Sequence, residues 1–348
     1  MSPFTTLRLL SLFCLTTPLV CQGESHDLKI AAKKGTTVWL LLEEKQEQTI
    51  DMGGQQMEMG GTTTRTLQLE VRDVDDKGNF VVAVKIARIH GSMTVPMMGD
   101  VEFDSAKKTE GEQEDDMGGM GGFSPGAMTK AMTALAGKSY TAKLDALGKV
   151  GSLEGVDELV KAANEGPGGM GAAMGAATEG QLKQYVESAF GMLPDKPVTQ
   201  GATWDRVEAE KSSRGPMQTK LQLTLAKIDA DSFELTATGT VETPAPKADD
   251  KPAEEGDDPV REMMKGVKVK NGKVAGSQRV SRQDGFVIES SNVTSMDVDM
   301  PGPMGGDMSM SMKMTTTAKR TTAEAAMPKP APKAAEAEKK DEKKEAGK

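Results

Sequence analysis

The most unusual chemical inventory in this sequence is its thioethers. Met57-Glu58-Met59 and Met308-Ser309-Met310-Ser311-Met312-Lys313-Met314 alternate with polar residues, which in a β-strand puts every sulfur on one face at intervals of about 7 Å. Met57, Met59, Met308, Met310, Met312 and Met314 are therefore the candidate site, and several chemistries compete for it. Thioethers select Cu(I) or Ag(I), but a metal needs about three sulfurs converging on one point, and a straight ladder does not converge unaided. A Met-lined interior also stays plastic enough to receive a lipid or other apolar ligand. The plainest reading is the inward face of an ordinary strand, and a fourth is an oxidant sink through sulfoxide formation.

Other motifs fail on mechanism. Gly122-Phe123-Ser124-Pro125-Gly126 matches the G-x-S-x-G nucleophile elbow, yet the residue after the nucleophile must offer an N–H to the oxyanion and Pro125 has none. No histidine follows Ser124, because the chain's two are His26 and His90. Gly166, Gly168 and Gly171 have dinucleotide-loop spacing, but they follow a helical pattern and open no helix. Ala136-Gly137-Lys138-Ser139 ends like a phosphate loop, with Met132 where its first glycine should be. Zinc lacks a His or Cys set. The acidic pairs Asp115-Asp116, Asp249-Asp250 and Asp257-Asp258 have no calcium-loop framework around them. Asn292-Val293-Thr294 is a glycosylation sequon, which matters only in a eukaryotic secretory pathway. No catalytic residue and no cofactor is assigned, and the chain is expected not to be an enzyme.

The elements that must position the sulfurs are read from periodicity. Leu67, Leu69 and Val71 share one face of a strand from Thr63 to Val74, while Gln68 and Glu70 share the other. Asp75-Asp76-Lys77-Gly78 is a hairpin turn into a partner strand, Asn79 to Ile89. One wet and one dry face is the pattern of an antiparallel sheet covered on a single side. Leu67 to Asp75 then aligns without a gap on Leu221 to Asp229, and each copy follows a Gly-x-x-Trp-like start, Gly35 to Trp39 and Gly201 to Trp204. Each also precedes a two-strand unit, turning at Leu147-Gly148 and at Asp284-Gly285. The expected fold is mainly β with some α. It has two similar antiparallel halves, 27–163 and 195–321, joined by a Gly/Met-rich linker and helix at 164–194.

Helices should cover the sheet faces. Ser124-Pro125 opens one carrying Met128, Met132 and Leu135, and Gly137 ends it. Val156, Leu159, Val160 and Ala163 form a second stripe. Thr178 with Gln181 is a capping box for a third, with Leu182, Tyr185, Val186 and Phe190 on one face. The tail 323–348 is Ala, Lys, Glu and Pro. It cannot bury enough apolar surface to offset about 1–2 kcal/mol of ordering per residue, so disorder is expected there.

Composition narrows the classes further. Among 348 residues there are 25 Met but only 8 Phe, 2 Tyr and 2 Trp, and the net charge is −9. Without a basic stripe, nucleic-acid binding is disfavoured. Residues 1–23 carry Arg8, an apolar run from Leu9 to Val20 and small residues near Gly23, the pattern of a secretory signal. The run spans about 18 Å as a helix, too short for a bilayer. The protein is thus expected to be exported, to the periplasm or beyond, and not membrane-spanning. Cys21 would permit a lipid anchor, but Pro18-Leu19-Val20 fits a lipoprotein box badly. With Cys14 inside the signal, no intrachain disulfide is expected.

The Gly-x-x-Trp start, the Leu-x-Leu-x-Val hairpin, the Met-alternating strands and the run from Gly137-Lys138-Ser139-Tyr140 to Val150 resemble an uncharacterised family of exported, Met-rich, β-sheet bacterial proteins, a domain of unknown function. The resemblance covers about 30–320 and implies an envelope protein, with no activity or catalytic residue to transfer. The leading expectation is a binding or structural role in the cell envelope. A carrier of an apolar ligand and a Cu(I)/Ag(I) binder are the alternatives.

Overall fold

A computed structural model describes residues 24–95, 99–107, 125–164, 178–212, 215–243, 267–301 and 307–327. The G-x-S-x-G serine, the dinucleotide-like glycines and the three acidic pairs lie outside these residues, as does the leader. Twelve strands form one antiparallel sheet: β1 (Thr37–Met52), β2 (Gln55–Val74), β3 (Phe80–Val95), β4 (Gly99–Asp104), β5 (Ser139–Leu144), β6 (Val150–Glu154), β7 (Thr203–Ser212), β8 (Gly215–Ile228), β9 (Ser232–Glu242), β10 (Lys268–Ser281), β11 (Val287–Pro301) and β12 (Asp307–Thr321). Among the described residues four helices accompany them: α1 (Pro125–Thr133), α2 (Asp157–Asn164), α3 (Glu179–Glu187) and α4 (Ala323–Ala326). The strand order is β6-β5-β3-β2-β1-β12-β11-β10-β9-β8-β7, with β4 on β3, so the sheet stays open.

The mainly β architecture expected from alternation is present, and residues from both expected halves belong to one sheet. Its seam is the pairing of β1 with β12, continuous from Trp39 opposite Thr321 to Met52 opposite Met308. On either side of β12 the strands stand in the same order, β6-β5-β3-β2-β1 and β11-β10-β9-β8-β7. Local details match as well. A register shift falls between Val71 and Asp73 on β2 and between Leu225 and Lys227 on β8. The Gly35 N–H donates to the Val71 carbonyl at 2.8 Å, and the Gly201 N–H donates to the Leu225 carbonyl at 2.8 Å.

One face of the sheet is covered. Leu40, Leu67, Leu69 and Ile86 are fully buried there, packed in a single core with Leu182 and Val186 of α3, with Leu225 of β8, with Val287 of β11 and with Phe286 of the turn before it. Each such side chain contributes about 1.5–3 kcal/mol by leaving water. The capping box forms as the sequence implied: Gln181 N–H donates to Thr178 Oγ1 at 3.1 Å, and Thr178 N–H donates to Gln181 Oε1 at 3.1 Å. Ile30, from the segment ahead of β1, wedges between the turns at Gly148 and Gly285. A Cβ on Gly285 would sit 2.6 Å from Ile30 Cα, so that turn requires glycine for space as well as for its φ of +79°.

The tail departs from expectation at its start. Instead of losing order at residue 323, the chain turns once as α4, because Thr322 Oγ1 accepts the Ala325 N–H at 3.3 Å. Ala326 is buried on the opposite face of the sheet, where its carbonyl accepts from Thr66 Oγ1 at 3.5 Å. Residues 328–348 lie outside the described residues.

Candidate functional site

Period-two alternation puts Leu40, Leu42, Glu44, Gln46, Gln48 and Ile50 of β1 on the covered face, so this strand runs from the helix-packed core toward the methionines. Across the seam Ile50 faces Met310, Gln48 faces Met312 and Gln46 faces Met314. One strand further, Val298 faces Met310, Met296 faces Met312 and Met300 faces Met308. Ile50, Met296, Val298, Met300, Met310 and Met312 belong to a second apolar cluster, separate from the main core, in which Met296, Met310 and Met312 are each 6% exposed.

The cluster walls a cavity of about 250 Å³. Met308, Met310 and Met312 come from β12, Met296, Val298 and Met300 from β11, Ile50 and Gln48 from β1, Val269 from β10 and Met217 from β8, with Val267 just ahead of β10. In a flat sheet Met217 and Ile50 would be about 24 Å apart, five strand spacings of about 4.8 Å each. Their meeting around one cavity requires the sheet to coil at this end. A β-bulge contributes to the bend: the β10–β11 register shifts between Lys270 and Lys273, with Asn271 at a φ of +51°. At Gly272 a Cβ would stand 2.1 Å from the Val241 carbonyl oxygen, so the strands close in only because this residue is glycine.

Three of the six methionines singled out from sequence, Met308, Met310 and Met312, line the cavity, and three do not. Met57 and Met59 share the covered face but lie across β1, opposite Ile50 and Gln48. That places them two strands, about 10 Å, from β12. Met314 is one alternation too far along β12. Met217, Met296 and Met300 take their places. The Met296-Asp297-Val298-Asp299-Met300 alternation was readable in the sequence, whereas nothing local marks Met217.

Among the described residues no ionisable side chain lines the cavity. Its polar group is Gln48, whose Nε2 donates to the Met310 sulfur. Gln46 Nε2 donates to the Met312 sulfur at 3.7 Å and to Gln48 Oε1 at 3.1 Å. Both amides thus direct donors onto thioethers, and Gln46 also donates to Gln48.

Charge appears at the border with the main core. Arg65 Nη1 donates to Glu44 Oε2 at 2.9 Å, and its guanidinium lies 4.9 Å from the Tyr185 ring centroid. Burial opposes the charge, yet Tyr185 and Glu44 more than offset it, and Arg65 titrates above its usual value. On the opposite face Arg88 forms a fork with Asp104, Nε to Oδ1 at 3.0 Å and Nη2 to Oδ2 at 2.7 Å, which holds the carboxyl below its usual value. His90 beside them is pushed down by burial and then by Arg88.

Residues 77–287 match the Family of unknown function (DUF6263). The chain belongs to this family. The match agrees with the resemblance to an uncharacterised family drawn from the hairpin and turn motifs. No curated protein matches the DUF6263 chain. Solved structures it is similar to include one of lipovitellin, describing its lipid–protein interactions, at 9% identity and a TM-score of 0.43, over 83% of this chain and 25% of that one. This chain therefore spans a quarter of the lipovitellin chain. Another is DynF from the dynemicin biosynthesis pathway of Micromonospora chersina, at 5% identity and a TM-score of 0.20, covering 85% of each chain. No helix among the described residues is long and apolar enough to cross a membrane.

Proposed function

We propose that this DUF6263 protein is an exported, non-enzymatic binding protein that takes an apolar ligand into the methionine-lined cavity. The observation that carries the reading is the cavity itself: about 250 Å³, walled by thioether and aliphatic side chains with Gln48 as the polar exception. A dry engineered cavity of about 150 Å³ already binds benzene. This space would therefore hold a small apolar molecule, or the apolar end of a larger one such as an acyl chain. Flexible methionines let one wall adapt to several shapes. Export to the cell envelope rests on the signal-like pattern of residues 1–23. The matching strand orders and bulges on either side of β12 support an origin by internal duplication.

The test is fluorescence titration with N-phenyl-1-naphthylamine. We expect saturable binding at micromolar concentration with a blue-shifted emission, weakened about tenfold, or about 1.4 kcal/mol, by Met296→Gln combined with Met310→Gln. Absence of saturable binding, or a double variant that binds as tightly as the parent, overturns the ligand reading. Turnover in a broad hydrolase screen, lost on replacing named polar residues, overturns the non-enzymatic part.

A further inference from the structure

We propose that Met296, Met310 and Met312 form a binding site for a soft monovalent cation, Cu(I) or Ag(I), in the wall of the same cavity. This goes beyond the apolar-ligand reading and does not depend on it. Sequence alone offered a straight ladder of sulfurs, which cannot surround an ion. The sheet supplies the missing direction. Met296 and Met312 are directly opposed across β11 and β12, which sets their Cβ atoms about 4.5–5.5 Å apart. Met310 is the next residue on that face of β12, about 7 Å from Met312. Three flexible side chains rooted in so small a triangle can bring their sulfurs to one point, as a strand by itself cannot. All three are buried at 6% exposure, in a wall of thioether and aliphatic side chains.

The glutamines provide a second, independent indication. Gln48 donates to the Met310 sulfur and Gln46 to the Met312 sulfur, and the two are tied by the 3.1 Å bond between them. Freezing a methionine side chain costs up to about 1.5–2 kcal/mol in rotamer entropy. Here the amides have already aimed two of the three sulfurs, so binding an ion loses less freedom than it would in an ordinary core. A thioether sulfur has two lone pairs, and the N–H bond to Met310 uses one of them.

The wall also selects against other ions. Ca²⁺ and Mg²⁺ need carboxylate or carbonyl oxygens, and Zn²⁺ needs imidazole, thiolate or carboxylate. Among the described residues the lining offers one such group, the Gln48 amide oxygen, which already accepts from Gln46 at 3.1 Å and cannot by itself satisfy a hard dication. Neutral sulfurs with no counter-charge suit a polarizable ion of single charge, since a dication would be left uncompensated in an apolar site. The half-buried pair Met300 and Met308, opposed one alternation beyond Met310, extends the sulfurs along the wall toward the β11–β12 connection.

The experiment is anaerobic competition for Cu(I) between the full chain and bicinchoninate. We expect one tightly held Cu(I) per chain, with affinity reduced about 100-fold in the triple variant Met296→Leu/Met310→Leu/Met312→Leu and unchanged in Met57→Leu/Met59→Leu. Leucine keeps volume and apolarity, so the triple variant should unfold in urea with the parent's m-value and close to the parent's midpoint. That cooperative transition shows the variant is folded, whatever the outcome of the ligand titration. If the triple variant does not fold, Met310→Leu alone should weaken Cu(I) about tenfold. No competition with bicinchoninate, a folded triple variant that binds Cu(I) as tightly as the parent, or equally tight Zn²⁺ binding overturns the proposal.

Discussion

Replacing Glu44 by glutamine tests whether the border between the helix-covered core and the methionine cavity is held by charge. The Arg65 guanidinium is 13% exposed and the Glu44 side chain 30%, with the nitrogen and oxygen 2.9 Å apart. At an effective dielectric near 20 that separation corresponds to about 6 kcal/mol of gross attraction. Desolvation of both ions consumes much of it, so the informative quantity is the penalty for removing one partner. Breaking a buried pair costs about 3–5 kcal/mol, because the remaining charge stays buried without a counter-ion. Partial exposure of Glu44 places the expectation for Glu44→Gln at the lower end, about 3 kcal/mol. Arg65 keeps its contact with the Tyr185 ring, 4.9 Å away, which retains about 1 kcal/mol. The double variant Glu44→Gln/Arg65→Met removes both charges and should recover most of the loss. A coupling of about 2 kcal/mol would then appear in the cycle. Urea unfolding with a constant m-value measures each ΔG. A Glu44→Gln loss under about 1 kcal/mol, or a double variant as unstable as the sum of the singles, refutes the assignment of a buried, charge-held border.

Two further outcomes follow from the packing. Asp104 is held below its usual pKa by the Arg88 fork, so its contribution is present above the unfolded value near 3.9 and lost as pH falls through the folded value. Asp104→Asn should therefore cost about 2 kcal/mol at pH 7, with the gap to the parent shrinking below about pH 4 in urea titrations. A gap independent of pH would contradict this. Phe190 and Phe286 are essentially unexposed, with ring centroids 4.6 Å apart, and join the segment after α3 to the turn before β11. Phe190→Ala should cost about 3–5 kcal/mol and lower Tm by several degrees in calorimetry. A loss under about 1 kcal/mol would mean that the contact is not part of the cooperative core.

Much of the architecture was legible residue by residue, because its signals are local. The alternation of Leu67, Leu69 and Val71 named the buried face of β2, and the capping box at Thr178 and Gln181 named the start of α3. Asp75 N–H and the Asn79 carbonyl close the hairpin turn that the Asp-Asp-Lys-Gly run implied. The alternation Met308 to Met314 specified a strand with its sulfurs on one side. Each inference needs only the φ/ψ preferences and the period of a few adjacent residues. Thr322 caps α4 locally, but what holds that turn on the sheet is Thr66, 260 positions away, which leaves no local signal.

The sequence by itself therefore marked several of the strands, the apolar face of β2, and a run of thioethers on one face of β12. Only the tertiary structure decided which of them meet. Pairing of β1 with β12 brings Gln46 to Met312 across 266 positions, and coiling of the sheet carries Met217 to a wall it shares with Ile50. The same pairing interposes β1 between Met57 and the cavity. Strand period is set by the backbone of neighbouring residues, but convergence of side chains depends on strand order, register and twist, which are settled by the burial of the whole sheet at once.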